Sequence, residues 1–232
     1  IGRHVNRWRP EAVLVIPWSR GRVVAWSRGR RVLVGGGSMR ARELQLTRFP
    51  RRIAVIGTSG SGKTTVAARI AAMAGVPHVE LDALHWEPDW TPAGPDVFRA
   101  RVDQALAGDA WVVDGGYAQV RDLTWGRAEH VIWLDYSMPR ALWQVALRTF
   151  RRRLRNEVLW GTNRERLRMS FFSRESLFLW IVQSHRSRRR RYPEYFRQPQ
   201  LRHLTVARVR TPRELSAHLA MLQSLLRSEV GR

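Results

Sequence analysis

The chain has 232 residues, of which 44% are hydrophobic, and this is enough to bury one sizeable core. It has no cysteine, which excludes disulfides and thiolate zinc sites, and no apolar run reaches the roughly 18 residues that span a bilayer. With no recognisable secretory signal, these features predict a cytoplasmic protein. The net charge of +22 indicates either affinity for polyanions or a compositional bias, and bias is favoured because all but one of the 41 basic residues are arginine.

The first 48 residues differ in composition from the rest of the chain, with eleven arginines and only two acidic residues. Three short apolar stretches, "AVLVI", "VVAW" and "VLV", predict weak strands, and the glycines at 35–37 predict a flexible break. Because the chain starts at Ile1 and Met39 follows these glycines, one hypothesis takes Met39 as the natural start; the alternative is a genuine basic arm. We therefore predict a basic N-terminal extension over residues 1–48, disordered or not native, and one folded domain over residues 49–232.

From residue 49 onward, strand patterns alternate with helix patterns. Strands are predicted at "RIAVIG", "PHVELD", "WVVDGG", "HVIWLD" and "LRHLTVARV". Helices are predicted at "TTVAARIAAMAG", "GPDVFRARVDQALAG", "SMPRALWQVALRTFRRRLR", "ESLFLWIVQSHRSRRRR" and "TPRELSAHLAMLQSLLRS". The last helix has Thr211 as its N-cap, with Glu214 completing a capping box. This alternation predicts an α/β domain with a parallel sheet and helices on both faces.

The segment "GTSGSGKTT" matches the phosphate-loop pattern G-x-x-x-x-G-K-[ST] in full and stands between a predicted strand and a predicted helix. Its glycines let backbone N–H groups turn toward phosphate oxygens, and the helix adds the positive end of its dipole. Lys63, the chain's only lysine, is predicted to reach the β and γ phosphates, because a compact ammonium fits where a forked guanidinium does not. Thr64 is predicted to place its hydroxyl on Mg²⁺, and Thr65 to contact the α-phosphate. The predicted ATP-binding residues are Gly57, Thr58, Ser59, Gly60, Ser61, Gly62, Lys63, Thr64 and Thr65.

Three aspartates, Asp82, Asp114 and Asp135, follow predicted strands, whose carboxyl ends converge on one crevice in a doubly wound sheet. Asp114 precedes two glycines and is favoured as the Mg²⁺ carboxylate, through water. Asp82 is predicted to lie beside the phosphoryl acceptor and to orient or deprotonate its hydroxyl. Asp135 is an alternative Mg²⁺ carboxylate, or else a cap for the helix that follows.

The stretch "LDALHWEPDWTP" places two tryptophans and a histidine directly after Asp82. One interpretation is an acceptor pocket in which Trp86 or Trp90 stacks on a ring or closes over a sugar; the other is a loop packed on the core. His85 is open to the same two interpretations, acceptor contact or structural residue.

Two arginine-rich runs, at 148–155 and 185–192, bracket a segment that could close over ATP. Arg148 and Arg152 share a helix face and are the predicted catalytic arginines, since positioned cations stabilise the charge of a transferred phosphoryl group. Most other arginines here are interpreted as a solvated basic face. A competing hypothesis is a nucleic-acid surface, with Trp160, Phe171 and Phe172 near the basic runs.

The segments "RIAVIGTSGSGKTTVAARIA", "ELDALHWEPDWTP", "WVVDGGY" and "VIWLDYSMPRALWQVALRTFRRR" together resemble the adenylate-kinase-like P-loop kinases over about residues 51–226. More narrowly, they resemble the DNA topology modulation (FlaR-type) proteins. The resemblance implies a P-loop NTPase fold with a five-stranded parallel sheet, binding of ATP and Mg²⁺, and a helical arginine-rich lid at about 153–185.

One departure from that family bears on the acceptor. Asp114 and Gly115 lie where adenylate kinases begin their nucleotide-monophosphate signature. Gly116 and Tyr117 follow instead of Phe-Pro-Arg, so the arginine of that signature is missing and AMP is not favoured as the acceptor. The resulting hypothesis is a kinase that transfers the γ-phosphoryl group of MgATP to a small acceptor such as a nucleotide or nucleoside. The alternatives are a nucleotide-dependent DNA- or RNA-binding protein with slow ATPase activity, and an ATP-binding regulator without an acceptor.

Overall fold

The computed structural model describes residues 14–18, 22–27, 30–34, 46–155, 158–159, 163–164 and 177–231, with side chains described over 46–147 and 183–231. The chain divides into two compact units, Ile1–Gln45 and Leu46–Arg232. The smaller unit contains an antiparallel sheet of three strands in chain order, β1 (Leu14–Trp18), β2 (Arg22–Ser27) and β3 (Arg30–Val34). These strands overlap the three apolar stretches of the sequence. Met39 lies outside the described residues, so the proposed start there stays a prediction.

The larger unit is built on a five-stranded parallel sheet with the strand order β10-β7-β4-β6-β5. Its strands are β4 (Arg52–Gly57), β5 (His78–Glu80), β6 (Trp111–Asp114), β7 (His130–Leu134) and β10 (Thr205–Val209). Every residue of β6 and β7 is buried, because helices cover both faces of the sheet. This burial on both sides explains why the two strands are nearly continuous apolar runs in the sequence. The predicted α/β fold, a five-stranded parallel sheet with helices on both faces, is confirmed.

Helices connect the strands and follow the sheet. They are α1 (Lys63–Ala74), α2 (Leu81–His85), α3 (Pro95–Ala105), α4 (Arg121–Arg127), α5 (Met138–Arg155), α6 (Leu177–Tyr195) and α7 (Pro212–Val230). The sequence patterns missed α4, which has only seven residues and so too few turns to show a period. Within the described parts of the chain, every helix is too short or too polar to cross a bilayer.

Between α5 and α6 the structure describes a two-stranded hairpin, β8 (Val158–Leu159) and β9 (Asn163–Arg164). The other residues from 156 to 176 in the predicted lid lie outside the described residues. The predicted cap of α7 is present: Glu214 donates its backbone N–H to the Thr211 hydroxyl at 3.2 Å, and its carboxylate accepts from the backbone N–H of Arg210 at 2.8 Å.

Neighbouring residues of β7 point to opposite faces of the sheet and belong to two separate cores. Ile132 and Leu134 join a core cluster in which α1 and α7 contribute Ile70 and Leu222. Trp133 points the other way, where an aromatic cluster is formed by Trp125, Trp133, Tyr192 and Phe196. These two cores fix the sheet between its helix layers and hold the carboxyl ends of the strands, where the predicted site lies, in one place.

Candidate active site

The phosphate loop leaves the end of β4 and turns directly into α1. Gly62 caps α1 in the left-handed conformation, with φ of 84°, and as a glycine it has no side chain to accept from the first turn of the helix. Ser61 is 3% exposed, and its buried hydroxyl has no hydrogen-bond partner among the side chains and backbone that the structure describes. The Lys63 ammonium donates to the Thr58 carbonyl at 3.2 Å and so lies over the loop. Uncapped N–H groups, an unpaired hydroxyl and an ammonium form a site that suits an anion with several oxygens.

Two glycines of the loop are required for different reasons. At Gly62 a side chain would meet nothing within 4 Å, but the positive φ disfavours any residue with a Cβ. At Gly60 packing also prevents a larger residue, because a Cβ there would lie 2.1 Å from a methyl carbon of Val145 on α5. The loop is therefore packed directly against the helix that leads toward the hairpin.

The two residues predicted for magnesium are in contact. Thr64 on α1 donates its hydroxyl to Asp114 Oδ2 at 2.7 Å, and the Asp114 side chain is only 3% exposed. The pairing of β4 with β6 places Val55 opposite Asp114, which brings the carboxylate beside the start of the loop. A hydroxyl and a carboxylate are hard oxygen ligands of the kind that Mg²⁺ prefers. The geometry fits the ion, and the metal role itself remains a proposal.

The second oxygen of Asp114 is bound by a residue that the sequence patterns did not identify. His78 on β5 donates Nε2–H to Asp114 Oδ1 at 2.8 Å. β5 pairs with β6 so that Glu80 lies opposite Asp114, and His78 is on the same face two residues earlier. The imidazole thus fixes the orientation of the carboxylate, as outer-shell partners of metal ligands commonly do.

Asp82 lies in a different local structure from the one expected. It is the second residue of the short helix α2, after β5 has ended at Glu80, and not the end of a strand. The Tyr117 hydroxyl donates to Asp82 Oδ1 at 2.7 Å. Burial, and then the charge of Asp82, raise the pKa of Tyr117 well above its ordinary value, so the phenol stays protonated and acts as a donor. In the sequence, Tyr117 stood out only as a departure from a family motif.

An aromatic wall stands beside Asp82. The His85 ring contacts the rings of Trp86, Phe98 and Tyr117, with centroid distances of 4.9, 4.8 and 4.5 Å. Burial lowers the pKa of His85, and the nearby Asp82 carboxylate raises it less, so the imidazole is neutral at pH 7. His85 packs against the fully buried Phe98, as expected for a loop packed on the core. Trp86 and Trp90 stay partly exposed, and their contact with an acceptor stays a prediction.

The loop after α2 carries backbone strain. Asp89 and Trp90 both have positive φ, 57° and 58°, which is uncommon for residues other than glycine. Such strain often marks ligand-binding loops. The strand β9 lies beside the turn Pro88–Trp90, so part of the predicted lid region lies against the loop that follows Asp82.

Among the described side chains, an arginine that was not a predicted site residue contacts the phosphate loop. Arg188 on α6 donates from Nη1 to the Gly57 carbonyl at 2.9 Å. Arg148 and Arg152 lie on α5, but their side chains are outside the described residues, so their catalytic role stays a prediction. Trp160, Phe171 and Phe172, the basis of the nucleic-acid hypothesis, are also outside the described residues.

Asp135 is bound by two guanidinium groups. Arg189 donates Nε to Asp135 Oδ1 at 2.6 Å, and Arg208 donates two N–H groups to Oδ2 at 2.9 and 2.6 Å. Asp135 is 3% exposed, so its charge is neutralised within the protein. Because two guanidinium groups already balance the charge of Asp135, whereas Asp114 is bonded to a hydroxyl and an imidazole, Asp114 is favoured over Asp135 as the Mg²⁺ carboxylate.

No protein-family model and no curated protein matches the chain. Among solved structures, the chain is similar to a gluconokinase from Sinorhizobium meliloti 1021, with 23% identity, 78% of this chain and 98% of that chain covered, and a TM-score of 0.44. A shikimate kinase from Acinetobacter baumannii in complex with shikimate has 19% identity, 82% and 98% coverage and a TM-score of 0.46. A deoxyadenosine kinase from M. mycoides has 11% identity, 76% and 98% coverage and a TM-score of 0.44.

These likenesses lie below 25% identity and below a TM-score of 0.5. The chain's own site geometry therefore carries the functional proposal. The narrower resemblance to DNA topology modulation proteins stays a prediction.

Proposed function

We propose that the larger unit is a kinase that transfers the γ-phosphoryl group of MgATP to a hydroxyl of a small acceptor. The observation that carries this proposal is the 2.7 Å contact between the Thr64 hydroxyl of the phosphate loop and Asp114 at the end of β6. Three residues later, Tyr117 binds Asp82 at 2.7 Å. One short segment of chain thus joins a carboxylate suited to the metal with a carboxylate suited to the acceptor.

In this proposal the phosphate loop and Lys63 hold the phosphates of ATP, while Thr64 and Asp114 hold Mg²⁺. The ion neutralises negative charge on the phosphates and takes its remaining ligands from phosphate oxygens and water. Residues 57–65, predicted as the ATP-binding segment, keep this role. Arg188, fixed beside Gly57, adds positive charge at the start of the loop, where an arginine stabilises the charge of a transferred phosphoryl group.

Asp82 is the proposed acceptor of the proton. The acceptor oxygen forms a bond to the γ-phosphorus, the bond from that phosphorus to the bridging oxygen of ADP breaks, and the hydroxyl proton passes to Asp82. Tyr117 donates to one oxygen of Asp82 and so leaves the other directed toward the acceptor. The ring centroids of Trp86 and Trp90 lie 5.7 Å apart. Both rings are partly exposed, and in this proposal they pack against the body of the acceptor.

The first test is the binding of MgATP by Lys63→Ala, measured by isothermal titration calorimetry. We expect a loss of at least about 100-fold in affinity, because the ammonium makes charge-assisted hydrogen bonds to phosphates. Arg202→Ala, which removes an exposed cation far along the chain from the loop, is the control and should bind like the parent protein. Undiminished binding by Lys63→Ala would overturn the proposal.

The second test identifies the acceptor by ADP release in the presence of nucleosides, nucleotides and sugars. One class should accelerate release, and Asp82→Asn should remove this acceleration while MgATP affinity is retained. Stimulation by DNA or RNA, with no effect of any small acceptor, would instead support the nucleic-acid hypothesis.

A further inference from the structure

The C-terminal half of α6 is tied to the sheet by three side chains within five residues. His185 is 4% exposed and donates Nε2–H to the Tyr136 carbonyl at 3.0 Å. Arg188 donates to the Gly57 carbonyl at 2.9 Å. Arg189 donates to Asp135 Oδ1 at 2.6 Å and to the Asp135 carbonyl at 3.3 Å. The helix is therefore bonded both to the end of β7 and to the first residue of the phosphate loop.

Asp135 is held rigidly enough to serve as a fixed point. Its backbone N–H donates to the Val209 carbonyl at 2.8 Å, which continues the pairing of β7 with β10. Arg208 of β10 binds its second oxygen, and the same guanidinium lies 4.3 Å from the centroid of the Trp133 ring. The carboxylate is thus fixed from the sheet side by Arg208, and α6 attaches to it through Arg189.

Attachment at Arg189 determines the direction of Arg188. Consecutive residues of an α-helix are about 100° apart around its axis, so fixing one side chain fixes the helix rotation and the direction of its neighbour. A rotation of α6 large enough to break the contact of Arg188 with Gly57 would also strain the contact of Arg189 with Asp135. Breaking that contact leaves a buried carboxylate with one partner fewer, which is unfavourable.

We propose that Asp135 and Arg189 form an anchor that positions Arg188 at the phosphate loop, where Arg188 acts on the terminal phosphates of the bound nucleotide. Asp135 and Arg189 are positioning residues in this scheme and do not touch the nucleotide or the metal. The inference rests on the proposed function, because it assigns Arg188 a nucleotide as its ligand.

The experiment compares equilibrium affinities for MgADP and for Mg²⁺ with the β,γ-imido analogue of ATP, which requires no acceptor. Arg188→Ala should reduce the preference for the triphosphate over the diphosphate by about tenfold, because a change of this size corresponds to the loss of one charge-assisted hydrogen bond. Arg189→Gln should reduce it in the same direction by roughly threefold, and Arg189→Lys should restore most of the preference. The double variant should behave like Arg188→Ala alone, because Arg189 acts through Arg188.

Two controls separate positioning from stability. Arg190→Gln makes the same change at the next, exposed residue of α6 and should leave the preference unchanged. Arg208→Gln removes a guanidinium from the same carboxylate but leaves Arg189 and the backbone of Asp135 bonded, so it should lower the melting temperature and reduce the preference less than Arg189→Gln does.

Several results would overturn the anchor. These are additive losses in the double variant, an equal loss in Arg208→Gln, or no loss in Arg189→Gln where Arg188→Ala shows one. An unchanged preference in Arg188→Ala would also overturn it, while the Lys63→Ala test of the proposed function would be unaffected. Absence of nucleotide binding by the parent protein would instead contradict the proposed function itself.

Discussion

Asp114 and Asp135 stand at the ends of the two strands that flank β4, and each side chain is 3% exposed, yet their surroundings differ. Asp114 is bonded to a hydroxyl and an imidazole, from Thr64 and His78. Asp135 is bonded to two guanidinium groups, from Arg189 and Arg208. Burial alone therefore does not distinguish a carboxylate that can receive a cation from one whose charge is already balanced; the charge of its partners does.

The largest expected effect is on the Asp114 side. Asp114→Asn should lower Mg²⁺-dependent ADP release several hundredfold, since a metal ion supplies roughly 3–4 kcal/mol of charge stabilisation in such sites. The measurement is ADP release at increasing Mg²⁺ concentration, with the exposed Asp109→Asn as the control. An unchanged response of Asp114→Asn to Mg²⁺ would remove the distinction between the two carboxylates.

On the Asp135 side the expected effect is on stability. Asp135→Asn leaves two arginines facing an uncharged amide. Because the Arg189 and Arg208 side chains are 42% and 20% exposed, water takes up part of their charge, and we expect a loss of about 1–3 kcal/mol, below that of a fully buried pair. Urea unfolding should show this loss, while the dependence of nucleotide affinity on Mg²⁺ stays that of the parent protein. The opposite pattern, with stability kept and the Mg²⁺ dependence lost, would exchange the roles of the two aspartates.

A third expected effect is a dependence of stability on pH, and it comes from a buried pair of neutral histidines that bond to each other. His130 and His218 face each other with Nε2 atoms 2.9 Å apart, so one ring donates and the other accepts, and both are neutral. Burial lowers the pKa of His130 to about 3 and that of His218 to about 4. Below pH 6.5 the unfolded chain takes up protons that the folded protein does not, so stability falls as the pH is lowered.

Between pH 7 and pH 5 this loss amounts to about 1–2 kcal/mol for each histidine. Urea unfolding at the two pH values measures it. The double variant His130→Val with His218→Leu should flatten the pH dependence, while His203→Gln, at an exposed position, should not. If the double variant keeps the full pH dependence, these two histidines are not its source.

The sequence predicted those parts of the site that follow from local order along the chain. The phosphate loop is one continuous segment of sequence, and Asp114 ends its strand immediately before two glycines. The pairing of Thr64 with Asp114 could therefore be expected. His78 could not, because its contact with Asp114 depends on β5 lying next to β6 in a given register. Strand order is a long-range property that local periodicity does not contain.

Arg188 shows a second limit of prediction from the sequence. It lies in a run of four consecutive arginines, and a shift of one residue changes the direction of a helical side chain by about 100°. In the structure, the contact with the Gly57 carbonyl distinguishes Arg188 from its neighbours in the run. Tyr117 was similar, since its hydroxyl acquires a role only when α2 brings Asp82 to within 2.7 Å.

The packing of Gly60 against Val145 has a consequence for how the loop tolerates substitution. In a mutational scan scored by protein abundance in cells, with no assay of turnover, Gly60 should be nearly as intolerant as a core residue, because any larger side chain displaces α5. Gly62, which faces open space, should show a milder penalty that comes from its backbone conformation alone. Two glycines of one nucleotide motif would thus be retained under different selective pressures, one for folding and the other mainly for ligand binding.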